Sequence, residues 1–307
     1  MMHRCASDTQ SMPGHLDRRA FLLGGAGAVL CGCSGVGSPA NTGAAPPGTG
    51  SGRPPSPSGS TSPTRRGLPE VSRWQASPGE IKPWVKQVAV AEIERRGNRA
   101  DAALQVVDAQ YGGLLTDSAS VLVVCRQWRQ LPDGAVRAGG STYDVRVRRS
   151  ASGWEVTAVR PSRPGQPADS LSRPARRVLS STHIDFPPAS EADLRSGQVR
   201  DSVLTALLDL SRSFRMGVSV VRSGHPLYVF GTDRLSDHPQ GRAFDVWRID
   251  GRAVVDPTTP RQLVTDFMEA AVAAGSYNVG GPLLPRAAPQ FFTDATHHDH
   301  VHAGFAA

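Results

Sequence analysis

The sequence predicts an α+β protein, with a small helix-plus-antiparallel-meander domain followed by a second α+β domain. Three observations predict it. Apolar residues recur at helical spacing just before runs that alternate at period two. A Pro- and Arg-rich stretch then interrupts the pattern. Beyond it, helical patterns again accompany short strand-like runs, so each region stacks helix on sheet.

The chain begins with an address rather than a fold. Residues 17–33 start charged and continue as a short apolar stretch of small residues, the pattern of a signal peptide and not of a core helix. Arg18-Arg19-Ala20-Phe21-Leu22 resembles a twin-arginine export signal, with Asp17 where Ser or Thr is usual. Leu30-Cys31-Gly32-Cys33 resembles the bacterial lipoprotein box, with Cys33 as the lipidated residue. An ordinary secretory signal, cleaved without lipidation, is the alternative. The expectation is an exported protein, anchored through lipid at the outer face of the plasma membrane and reaching into the cell wall. Residues 1–32 are then the signal peptide. Residues 33–67 form a tether, since 34–67 hold seven Pro, eight Gly and seven Ser with no acidic or aromatic residue. Cleavage before Cys33 leaves Cys33 and Cys125 in the mature chain, so no internal disulfide is expected.

The first domain is expected over 68–160. Pro83-Trp84-Val85-Lys86-Gln87-Val88-Ala89-Val90-Ala91-Glu92-Ile93 carries the helical spacing. Three strand-like runs follow, at Ser118–Trp128, Thr142–Val147 and Trp154–Val159, the last two joined by a polar turn. Cys125 ends the apolar run Val121-Leu122-Val123-Val124-Cys125 and reads as a buried small hydrophobe. This region resembles the cone-shaped domains of the nuclear-transport-factor-like fold. It shows no catalytic constellation and reads as a positioning or binding module.

Residues 161–178, with four Pro and four Arg in 161–177, are expected to be a linker. The second domain then spans 179–307. A long helical pattern covers Ala192–Phe214. Val218–Val221, Leu227–Phe230, Arg242–Ile249 and His300–Phe305 read as strands, and Leu263–Ala274 as a second helix.

Chemistry concentrates in two segments of this domain. One is Ser236-Asp237-His238-Pro239-Gln240-Gly241-Arg242-Ala243-Phe244-Asp245, and the other is His297-His298-Asp299-His300-Val301-His302. Two imidazoles and one carboxylate from separate strands make a three-ligand zinc set with the fourth position open, as a catalytic zinc requires. On a strand, His300 and His302 point to one face, so one can bind metal while the other stands beside substrate. Gly241 permits an unusual backbone angle between His238 and Asp245.

Ser-x-His-x-x-Gly-x-Ala-x-Asp at 236–245, followed by His-x-His at 300–302, resembles the zinc D-Ala-D-Ala carboxypeptidase and murein endopeptidase family. That family shares its fold with the hedgehog signalling domain. The resemblance covers roughly residues 190–307 and implies zinc held by His238, Asp245 and His302. It implies that His300 polarises a carbonyl or supports an oxyanion, with peptidoglycan peptides as substrate and Ser236 and Arg222 contacting it. Many members carry a Glu base a few residues before the last ligand. Here Asp299, three residues before His302, is the corresponding candidate, with Asp294, His297 and His298 as further ones. A non-catalytic zinc-binding wall or partner-binding lipoprotein is the second reading.

Composition limits the other classes. The balance of 34 Lys+Arg against 27 Asp+Glu is basic, but the arginines are scattered with few aromatics among them, which disfavours nucleic acid. Trp247 reads as core. His225 reads as a surface residue or one supporting a ligand, and His183 as a residue without a partner.

Overall fold

The computed structural model describes residues 67–306, so the signal peptide, Cys33 and the tether up to Arg66 lie outside the described residues. The described chain is mixed α+β and forms two lobes within one compact unit. None of its helices is long and apolar enough to cross a membrane.

The first lobe is a helix on a sheet. Helix α1 (Pro83–Gly97) packs on strands β1 (Ala102–Leu114), β2 (Ser118–Gln130), β3 (Val136–Gly139), β4 (Thr142–Ser150) and β5 (Gly153–Pro161). All their pairings are antiparallel, in the order β1-β2-β4-β5, with β3 also on β2. Val85, Ala89, Val90 and Ile93 of α1 bury against Val121, Val123, Cys125, Val145 and Val147. Full burial of a Val or Ile side chain contributes about 1.5–3 kcal/mol, so these few contacts fix the helix. Cys125 is buried as expected, and burial pushes its thiol up.

β1 is the element the sequence pattern conceals. Its register shifts between Val106 and Asp108 and again between Tyr111 and Gly113. Each bulge changes which face the next side chains meet, so alternation fails over the strand. β2 is buried on both faces. Val121, Val123 and Cys125 face α1, while Leu122 and Val124 pack with Val220 of the second lobe. A continuous apolar run, rather than alternation, follows from that two-sided burial.

The second lobe contains α2 (Arg173–Leu179), β6 (Ile184–Asp185), α3 (Pro188–Arg195), α4 (Asp201–Leu210), β7 (Met216–Val220), β8 (Ala243–Ile249), β9 (Arg252–Ala253), α5 (Arg261–Ala273), β10 (Asn278–Gly280), β11 (Phe291–Phe292) and β12 (Val301–Gly304). The sheet runs β11-β10-β12-β8-β7-β6, with β9 on β8. Its core gathers Leu204 and Leu207 of α4, Phe244 and Val246 of β8, Phe267 and Met268 of α5, and Val301.

The sheet is mixed, because β6–β7 and β10–β11 pair in parallel at its two edges. Three expectations change. The long helix is two helices, separated at Gly197, whose φ of 70° is left-handed and ends α3. Leu227–Phe230 is a loop with one isolated bridge, Tyr228 to Leu235. Leu227 and Tyr228 are exposed there, having no core to bury against. Residues 161–178 are a pinned strap instead of a free linker. Arg222 Nη2 donates to the Pro164 carbonyl (2.6 Å), and the Ala168 amide donates to the Arg195 carbonyl (2.9 Å). Ser172 Oγ then caps α2 by accepting from the Ala175 amide.

Candidate metal centre

Two adjacent strands and one turn deliver the donors. β8 and β12 pair antiparallel with His302 directly opposite Asp245. His238 opens a 3-10 turn (His238–Gln240) just before β8. Gly241 closes that turn at φ 70°, and a Cβ there would lie 2.1 Å from the Gln198 carbonyl oxygen, so only glycine fits.

The three atoms converge. His238 Nε2 lies 3.1 Å from Asp245 Oδ1 and 3.1 Å from His302 Nδ1, and His302 Nδ1 lies 3.0 Å from Asp245 Oδ1. Donors at 2.0–2.1 Å from a tetrahedral zinc stand roughly 3.3 Å apart, so the triangle is close to the size of a ligand set. His238 Nδ1–H donates to the Val221 carbonyl at 2.9 Å, which turns Nε2 inward. Two imidazole nitrogens and a carboxylate oxygen at these separations could share a cation, or be joined through a ring N–H when none is bound. Burial pushes His302 down to about 4 against the pull of Asp245, so it is neutral at pH 7. Asp245 is held well below the usual carboxylate range, because His238 and His300 outweigh its burial.

His225 belongs to this group more closely than its sequence context suggests. It offers a donor atom in a cluster with His238 and Asp245 whose atoms all lie within 4.8 Å of one another and could hold a metal ion. Its ring stacks on His238 at 4.2 Å, and burial next to His238 drives its pKa well down. Ser236 Oγ sits 3.2 Å from His225 Nδ1, and both residues line the cleft.

The first lobe reaches into the centre. Gln110 of β1 donates from Nε2 to Asp245 Oδ2 at 2.7 Å. Ser219 of β7 donates to Gln110 Oε1, which fixes the amide in turn. Thus Oδ1 of Asp245 is left for the cluster, and Oδ2 is tied to the neighbouring lobe.

His300 stands beside the triangle, with Nε2 3.8 Å from Asp245 Oδ1. Burial opposes its charged form, yet Asp245 and Asp299 prevail and raise it to about 9. Asp299 is not free to act as the base. Its Oδ1 accepts from His300 Nδ1 at 2.5 Å, and its Oδ2 meets Lys86 Nζ at 2.6 Å and the Tyr111 amide at 3.0 Å. With both oxygens taken, and Lys86 and His300 outweighing burial to hold it well below the usual carboxylate range, its proton affinity is low.

Arg222 is also redirected. Its guanidinium is bound to the strap at Pro164 and faces Asp193 (3.8 Å), and it lines neighbouring surface hollows rather than the cleft over the metal triangle. That cleft is about 580 Å³. Tyr111–Leu114 of β1 and Leu115 just beyond it form part of one wall, and Phe230, Arg234, Tyr277 and Phe292 line others. At its edge His297 Nδ1 pairs with Asp294 Oδ1 at 2.8 Å, and its ring lies 5.2 Å from that of His300 and 5.7 Å from that of His302. His298 is occupied elsewhere, since Nδ1–H donates to the Ala295 carbonyl and Nε2 accepts from the Ile81 amide at 2.9 Å.

Of the residues named from the sequence, His238, Asp245, His302, His300 and Ser236 come together, while Arg222 and Asp299 serve other contacts. Gln110, Lys86, Tyr111 and Ser219 escaped the sequence reading. Lys86 carried a signal, because it shares a helix face with Val90 and Ile93, where an unpaired charge has no place. No family model, curated protein or solved structure matches the chain.

Proposed function

We propose that the protein is a zinc-dependent peptidase of the cell wall, hydrolysing peptidoglycan stem peptides as a carboxypeptidase or endopeptidase. The observation that carries this reading is the triangle of His238, Asp245 and His302 donors at the floor of a peptide-sized cleft. Zinc held by these residues supplies Lewis acidity toward a carbonyl and a water of lowered pKa. His300 Nε2 donates toward the oxygen on which negative charge develops.

His297 takes the base role in place of Asp299. Its Nδ1–H donates to Asp294, so Nε2 is the acceptor. Water's oxygen joins the carbonyl carbon and the C–N bond breaks. The proton taken by His297 passes to the leaving nitrogen. The signal peptide and tether expected at the N-terminus agree with a substrate outside the plasma membrane.

The test is metal content and muropeptide cleavage by the full chain, purified without a His-tag, beside His238→Ala and His297→Gln. We expect about one zinc in the parent and little in His238→Ala. His297→Gln keeps the zinc and loses roughly 10²–10⁴ in turnover. A parent that binds no zinc when it is supplied, or binds it and cleaves no stem peptide, defeats the reading. Metal binding without cleavage would instead favour a zinc-binding wall lipoprotein.

A further inference from the structure

The ammonium of Lys86 lies outside the metal triangle, yet it is one side chain away from His300. Lys86 is fully buried and comes from α1 of the first lobe. A lysine is removed from water only where counter-charges hold it. Glu80 Oε2 binds it on one side and Asp299 Oδ2, at 2.6 Å, on the other, and its ammonium sits 5.0 Å from the centroid of the Tyr111 ring. Glu80, His298 and Asp299 together have the spacing of a second metal group. The ammonium already lies between the two carboxylates, and His298 Nε2 is engaged by the Ile81 amide, so that group is filled by the chain itself.

The order of contacts is directional. The ammonium and the Tyr111 amide both hold Oδ2 of Asp299, which leaves Oδ1 for His300 Nδ1–H at 2.5 Å. That bond fixes the imidazole plane and keeps the proton on Nδ1, so Nε2 faces the metal triangle. We propose that Lys86 is a positioning residue of the reaction centre, through which the first lobe sets the orientation of His300 by way of Asp299. The proposal rests on the role given to His300 above. It makes the first lobe part of the active centre rather than a separate binding module.

The experiment uses the full chain, with metal content, turnover and the side-chain imidazole resonances of His300 as readouts. The resonances are assigned by their loss in His300→Gln. Lys86→Met alone strands two buried carboxylates and can fail to fold, so it is paired with Lys86→Met/Glu80→Gln, which removes one charge of each sign. The double variant is expected to fold and to keep the parent's zinc. Its His300 Nδ1 proton should move upfield, and kcat should fall about tenfold or more with KM within about twofold. A folded double variant with an unmoved resonance or an unchanged kcat overturns the proposal. Collapse of the double variant also counts against it, because Lys86 would then hold the lobes and not the ring. If the parent cleaves no peptide, the peptidase reading fails by itself, while the resonance still decides whether Lys86 orients His300.

Discussion

His300 and His302 stand two residues apart, yet their surroundings drive them in opposite directions. His302 has burial as its dominant influence and falls to about 4, whereas His300 faces Asp245 and Asp299 and rises to about 9. In the metal-free protein the two oppose each other across neutral pH. Below the ordinary imidazole value of about 6.5 the unfolded chain binds a proton that folded His302 refuses, so stability drops as pH falls toward 4. Above about 6.5 folded His300 keeps a proton that the unfolded chain releases, so stability also drops as pH rises toward 9. Melting with a chelator present should therefore peak between about pH 6 and 7 and lose roughly 5 °C or more on each side. A midpoint that is level from pH 5 to 9 would contradict this electrostatic picture. At this scale the residue types of the triangle were legible, because a site able to hold a metal demands particular donors at a particular spacing. The competition for Asp299 was not, because Lys86 and Tyr111 arrive from about two hundred residues away.

Among the elements, β1 shows why a functional strand can be invisible in a sequence. It needs small residues where other chains press close: a Cβ on Gly113 would lie 2.0 Å from Phe230 Cβ, and one on Gly112 would lie 2.9 Å from Leu122 Cδ2. It also needs polar residues where it serves the metal triangle, as Gln110 does. Both requirements erase the alternation by which a strand is recognised. The strand β8, whose work is done by Asp245 amid Phe244 and Val246, keeps its pattern and was legible. Replacing Gln110 by Leu conserves approximate volume but removes the donor to Asp245 Oδ2 and the acceptor for Ser219. Loss of such a support costs about 10–100-fold in metal affinity. Zinc titration of Gln110→Leu against a competing chelator should show that weakening with secondary structure unchanged, and parent-like affinity would mean that Asp245 is oriented by β8 alone.

On the scale of the whole molecule, the Pro- and Arg-rich stretch read as a linker between two domains, while the five consecutive apolar residues at 121–125 carried information on how they pack. A strand apolar at successive positions is covered on both faces, and its second cover is the other lobe. Leu122, Val124 and Val220 make a dry seam, and beside it run the Gln110–Asp245, Lys86–Asp299 and Leu114–Thr296 contacts. Polar contacts shielded by an apolar seam favour both lobes ordering together, so residues 67–306 should unfold in one step. Tryptophan reports this directly. Of the five in the chain, Trp74, Trp84, Trp128 and Trp154 precede the strap and Trp247 follows it. In a Trp247→Phe background, fluorescence follows the first lobe and zinc release follows the second, and their midpoints should coincide. Val124→Asp then buries a carboxylate in the seam without a partner, at a cost of several kcal/mol. The two midpoints should separate, with zinc released first, because the first lobe keeps α1 while the triangle loses Gln110. Separate midpoints in the parent, or coincident ones in Val124→Asp at unchanged temperature, would show that the lobes are neighbours without being a single folding unit.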